Sequence, residues 1–155
     1  MKTAEDILME KNRDMICVSP ETTIQEALQT MIERKIGAIL IKEGGKLVGI
    51  WTERDLMRNV VAPGFDVTTA RIGHHMTKDL FAVQHTASLY NLKDQFLGRR
   101  LRHLLVEKEG EYIGILSAGD VMKATLDEKS QELEQLNAIV KWDYYEDWKW
   151  KRRKK

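Results

Sequence analysis

The ten residues Gly49–Arg58, "GIWTERDLMR", return as Gly114–Lys123, "GILSAGDVMK", 65 positions later in a chain of 155 residues. An ungapped shift of 65 also pairs Ile7 with Ile72, Asp14 with Asp79, Val18 with Val83, Leu40 with Leu105, Gly45 with Gly110, Asp55 with Asp120 and Met57 with Met122. Apolar character persists where identity does not, as in Ile16 and Phe81, Ile24 and Leu89, Met31 and Phe96, Val48 and Ile113. Apolar positions define a core, so a chain that repeats them at fixed spacing builds one supersecondary unit twice.

Each copy reads strand, helix, strand, strand, helix. In the first, "MICV" is a short strand. "TTIQEALQTMIERK" places Ile24, Ala27, Leu28, Met31 and Ile32 on one helical face, and Thr23 with Glu26 makes a capping box at its start. "GAILI" is an apolar strand, "KEGGK" a hairpin turn and "LVGIW" the next strand, after which Thr52 opens a helix running to about Val61. The second copy gives "LFAV", "SLYNLKDQFLGRR", "HLLVE", "KEGEY", "IGIL" and a helix starting at Ser117. A three-stranded sheet with helices on one face leaves the other face apolar and uncovered, so the two copies should pack together. The expected fold class is α+β with α/β-like units, a pseudo-twofold pair of repeats with a C-terminal helical extension. The boundaries are repeat 1 over 3–65, repeat 2 over 66–126, and a helix with a basic tail over 127–155.

Composition narrows the setting. The chain is 43% hydrophobic and 32% charged, values of a globular protein, and its two prolines argue against long disordered linkers. No apolar run approaches the roughly 20 residues of a membrane span. The single cysteine, Cys17, has no internal disulfide partner, and the N-terminus is not signal-like, so a cytoplasmic location is expected.

Both copies end a strand at Thr or Ser, begin a helix, and set an aspartate three residues on: Thr52 to Asp55 and Ser117 to Asp120. The first turn of a helix presents free backbone N–H groups and the positive end of the dipole, which suits an anion or polar ligand. The hydroxyl can bond a phosphate, and the carboxylate can accept both hydroxyls of a vicinal diol such as ribose. A plain helix cap uses the same residue types, and both readings stand at this point. Capping does not account for the repetition of the surrounding strand and glycine context.

These residues resemble the CBS domain, in the tandem form called a Bateman module. "GIWTERDL" and "GILSAGDV" match the family's Gly-x-x-Thr/Ser-x-x-Asp signature, with "VSPETTIQEAL" and "ERKIGAILIKEGGKLVGI" before the first and "HMTKDLFAV" opening the second. The resemblance implies a regulatory module rather than an enzyme, with no catalytic cofactor. It implies an adenosyl ligand, AMP, ADP, ATP or S-adenosylmethionine, in two clefts between the repeats, and a homodimer joined through helices.

Carried over by position, the resemblance implies unequal clefts. The first joins Thr52, Arg54 and Asp55 to Leu80, Phe81 and Ala82, with Arg102 and His103 near the phosphates. The second joins Ser117 and Asp120 to Ile16, Cys17 and Val18, with Gly37 and Ala38 at its edge. Gly37 stands in repeat 1 where Arg102 stands in repeat 2, and Ala118 and Gly119 replace Glu53 and Arg54, so the second cleft is expected to lack phosphate partners.

Signals for catalysis or metal binding are weak. His74 and His75 are adjacent while His85 and His103 lie apart, and one cysteine cannot make a thiolate cluster. Gly44, Gly45 and Gly110 read as turn glycines rather than a phosphate loop.

Beyond repeat 2, Leu126, Leu133, Leu136, Val140, Tyr144 and Trp148 form one stripe of a helix from Asp127 onward. The stripe either packs back on the module or meets a second copy or partner. Residues 127–147 carry seven acids and two lysines, whereas "KWKRRKK" carries six bases and no acid. That tail is either solvated or docks a membrane surface or nucleic acid. An interaction scaffold that binds no ligand and works through this tail is the alternative function.

Overall fold

The computed structural model describes residues 1–140, with side chains as far as Asn137. The aromatic and basic tail, with Tyr144 and Trp148 of the stripe, lies outside the described residues.

The chain opens with a helix for which the apolar periodicity gave no expectation, α1 (Ala4–Lys11). Thr3 and Asp6 cap its start reciprocally, and Asn12 closes it in the left-handed region. The first repeat then follows as β1 (Cys17–Val18), α2 (Ile24–Arg34), β2 (Ala38–Glu43), β3 (Lys46–Thr52) and α3 (Glu53–Asn59). The second follows as β4 (Ala82–Gln84), α4 (Leu89–Arg99), β5 (His103–Lys108), β6 (Glu111–Ser117) and α5 (Ala118–Val140). A short 3-10 turn, Ile72–His74, precedes it.

Each repeat makes its own three-stranded sheet, ordered β1-β2-β3 and β4-β5-β6. The first pair in each is parallel and the second antiparallel, with Cys17 opposite Leu40 and Ala82 opposite Leu105. Even the irregularity repeats, since the register slips between Ile41 and Lys42 and again between Val106 and Glu107. The two-residue hairpin turns require left-handed backbone, supplied by Gly44 and Gly45 in one copy and by Glu109 and Gly110 in the other.

The leading segments cross. Ala4 and Ile7 of α1 are buried with Leu89, Leu92, Phe96, Leu104, Val106 and Leu116 of repeat 2. Ile72, which leads repeat 2, is buried with Ile24, Ala27, Met31, Ile39, Ile41 and Trp51 of repeat 1. Backbone bonds fix the exchange: the Ala4 N–H donates to Ala87 C=O and the Ile72 N–H to Thr22 C=O. The crossing also explains the repeated glycine ahead of each signature. A side chain at Gly49 would press into Met76, and one at Gly114 would meet Leu8 at 2.7 Å.

Leu40 and Leu105 are buried but belong to neither cluster, because strand alternation turns them to the opposite face of their sheets. Leu40 borders a space shared with Ile115, so these are the faces on which the repeats meet.

The two last helices diverge for a local reason. Pro63 and Gly64, the latter at φ 76°, follow α3, whereas no proline or glycine follows Gly119 in α5. The second signature helix and the C-terminal helix, expected as separate pieces, are therefore one element, and the 126/127 boundary falls inside it. Leu126, Leu133 and Leu136 are exposed, so the described part of the stripe does not pack back on the module.

Candidate ligand-binding clefts

β3 ends at Thr52, which becomes the N-cap of α3. The Thr52 backbone N–H and hydroxyl both donate to Asp55 Oδ2, at 2.9 and 3.1 Å, and the Asp55 N–H donates back to the hydroxyl at 3.3 Å. The capping box anticipated for this motif is present. Among the described residues Asp55 Oδ1 takes no hydrogen bond. The turn is steadied from below by Trp51, fully buried, whose indole N–H donates to Asn59 Oδ1 at 3.0 Å.

Around Asp55 lies a cleft of about 280 Å³ between the repeats. Thr52, Arg54, Asp55, Leu80, Phe81, Arg102 and His103 line it, which brings together seven of the eight residues assigned to the first cleft. Ala82 is not among them: it pairs with Leu105 in β4 and borders a shallow groove with Gln84, Asn91 and Arg99. Ile50 and Leu105 add apolar wall.

Arg58 and Arg100 also line this cleft and were missed by sequence reasoning. Arg58 was findable, since it lies one helical turn beyond Arg54. Arg100 gave less signal, because it caps α4 in the left-handed region at φ 53°. Among the described residues, the guanidinium groups of Arg54, Arg58, Arg100 and Arg102 take part in no ion pair. Acids in the same wall are Glu53, Asp55 and Asp79. Phe81 is 42% exposed and carries the Arg99 guanidinium 5.1 Å from its ring centre on one side. Burial, with Lys11 and Arg102 nearby, lowers the His103 imidazole to about 4 against a weaker opposing pull from Asp120, so it is neutral at neutral pH.

Gly37, assigned to the second cleft, lines the first instead. The Glu53 N–H donates to Gly37 C=O at 3.1 Å, which ties the start of β2 to the start of α3.

The second site is built differently. Asp120 Oδ2 accepts the Ser117 N–H at 2.7 Å and hydroxyl at 2.9 Å, repeating the Thr52 cap. It also takes the Lys11 ammonium at 2.8 Å, and the same ammonium donates to Ile115 C=O at 3.1 Å. The Asp120 carboxyl is held below its usual value because Lys11 and Ser117 together outweigh its burial. Asp120 borders one space of about 280 Å³, with Glu10 and Lys123, outside the face between the sheets, while on that face Ile16 and Ala38 border another, small one of about 40 Å³. Lys11 and Arg13 line both. Ser117, Cys17 and Val18 border neither, and Val18 packs on the repeat 1 core. Cations that the repeat alignment did not point to border these spaces: Lys11 and Arg13, from α1 and its exit about a hundred residues from Asp120, and Lys123.

A CBS domain family model matches residues 4–62 and 71–127. The chain belongs to the CBS domain family. As a CBS pair it is 28% identical over 151 residues to CBS domain-containing protein CBSX3, mitochondrial, of Arabidopsis thaliana, covering 92% of this chain and 73% of that one. The crystal structure of the CBS-domain protein ATU1752 from Agrobacterium tumefaciens is 37% identical, with a TM-score of 0.75 over 80% of this chain and 99% of that chain. CBS domain protein PAE2072 from Pyrobaculum aerophilum, in a structure complexed with AMP, shares the fold at 20% identity and a TM-score of 0.66, over 77% of this chain and 89% of that one. No described helix of this CBS pair is long and apolar enough to cross a membrane.

Proposed function

We propose that this chain is a non-catalytic sensor that binds an adenosyl ligand, AMP, ADP, ATP or S-adenosylmethionine, in the cleft around Asp55. The observation that carries the reading is the convergence of four arginines without ion-pair partners among the described residues on one cleft that also holds a carboxylate and apolar walls. Ile50, Leu80, Phe81 and Leu105 suit a purine, Asp55 Oδ1 suits the ribose diol, and Arg54, Arg58, Arg100 and Arg102 suit phosphate. The AMP complex of a protein sharing this fold supports the ligand class.

Ligand occupancy would bridge Thr52 and Asp55 of one repeat to Leu80, Phe81 and the 100–103 segment of the other, so it biases how the repeats sit together. The readout passes to a second copy of the chain. Ile32 and Leu97, Met57 and Met122, and Val61 and Leu126 are equivalent pairs under the repeat, and all six side chains are exposed. Leu97, Met122 and Leu126 line one apolar groove, and with their exposed counterparts in repeat 1 they fit a homodimer joined through helices. Cys17, a free thiol, supports a cytosolic setting.

Ligand-dependent melting tests the reading. A compound present at 100 times its dissociation constant adds about 2.7 kcal/mol of stability. At least one of the four adenosyl compounds is expected to raise Tm, and a flat response to all of them at millimolar concentration would leave the scaffold function in its place.

A further inference from the structure

We infer that Lys11 closes the second cleft from within, so that the chain takes one ligand rather than two and holds a latent site that loss of this one side chain opens. The inference rests on the adenosyl-binding reading of the first cleft, which serves as its internal control. Under the repeat, Met76 occupies the position of Lys11. Met76 lies against Gly49 and packs on the repeat 1 core. Neighbouring Thr77 and Ile50 exchange backbone hydrogen bonds, at 2.8 Å from the Thr77 N–H and 3.0 Å from the Ile50 N–H. Asp55 is thereby left with Thr52 as its partner and an open cleft before it.

In the second copy the backbone exchange is absent among the described residues, and the Lys11 ammonium takes its place on Ile115 C=O while reaching Asp120 Oδ2. Both ends of the ion pair are mostly shielded, with side chains 21% and 23% exposed. The ammonium thus sits on the cap oxygen of the carboxylate that corresponds to Asp55, wedged between it and Ile115, the counterpart of Ile50 in the wall of the first cleft. With Arg13 it separates the Asp120 space from the one bordered by Ile16 and Ala38. A ligand there meets a shielded ion pair in its way, whereas among the described residues no ion pair spans the first cleft.

The test is the stoichiometry of AMP binding by titration calorimetry on the full chain. The wild type is expected to bind one AMP per chain, and Lys11→Met, which copies the first cleft, two. The added site in Lys11→Met should be lost again in the Lys11→Met/Asp120→Ala chain, and its affinity should exceed that of the wild-type second cleft at least tenfold. Lys11→Gln keeps polarity and provides a second folded variant if the methionine disturbs α1. No gain of binding in either folded variant overturns the inference, whatever the wild type does. A wild type that binds none of AMP, ADP, ATP and S-adenosylmethionine overturns the first-cleft reading instead, and a gained, Asp120-dependent site in the variants would still uphold the closure by Lys11.

Discussion

Asp55 Oδ2 sits 2.9 Å from the Thr52 N–H and 3.1 Å from its hydroxyl, so one carboxylate oxygen is spent on the cap, while Oδ1 takes no hydrogen bond among the described residues. Under the proposed function, cap and ligand contact meet in this single side chain. Asp55→Ala should weaken an adenine nucleotide by about tenfold to a hundredfold, the loss of a hydrogen bond to a charged group of about 1.5–3 kcal/mol. It should also lower stability by about 1 kcal/mol through the cap. Asp120→Ala should cost stability with little change in affinity, because its partner is Lys11. Calorimetric binding and chemical denaturation on the two variants separate the cases, and equal affinity losses would contradict the inequality of the clefts.

His103 makes stability depend on pH. Its folded pKa of about 4 lies below the ordinary 6.5, so between these values the unfolded chain binds more protons and stability is lost as pH falls. The full effect across that window is about 3 kcal/mol. His103→Gln cannot titrate, and its denaturation midpoint should fall less steeply between pH 6.5 and 4. The groups acting on the imidazole are Lys11, Arg102 and Asp120. A phosphate placed beside it would raise its pKa, so nucleotide binding near pH 5 should take up a proton, detectable as a buffer-dependent heat.

The crossing of the leading segments predicts a remote effect. Ile7→Ala removes a side chain buried in the repeat 2 core and should cost about 2–5 kcal/mol. Hydrogen exchange should then quicken first in β5 and β6, which are distant in sequence, and later in β2 and β3. Loss confined to repeat 1 would contradict the exchange.

The helix patches predict the association state. The chain should sediment at twice its 18.0 kDa mass at tens of micromolar. Leu97→Lys with Met122→Lys places charges beside the apolar groove formed with Phe96 and Leu126 and should give a folded monomer. A wild-type monomer would remove the dimer.

What the sequence made legible was what repeats. The 65-residue shift predicted both sheets and both hairpins, because each depends on local patterning that two copies confirm in one another, and it left the caps at Thr52 and Ser117 standing beside a ligand reading. It did not show the exchange of leading segments: Ile7 and Ile72 align perfectly well whichever core they enter, and only packing decides. The Thr3 and Asp6 pair was a usable sign of α1, having the spacing that marked α2. Lys11 left no sign of its role, since its partner Asp120 is set by the tertiary fold and a lysine near a helix end is ordinarily solvated. Gly37, placed with the second cleft by the alignment, lines the first because the Glu53 N–H holds its carbonyl at the start of α3, a tertiary contact the sequence does not mark.

Nucleotide binding in the first cleft is decided by titrating AMP into the 155-residue chain and into Arg102→Ala under identical conditions in a calorimeter. Saturable binding to the wild type, weakened about tenfold or more in the variant and less affected when adenosine replaces AMP, is the predicted result. No binding by the wild type to AMP or, in the same titration, to ADP, ATP or S-adenosylmethionine, or equal affinity of both chains for the nucleotide that binds, would contradict it.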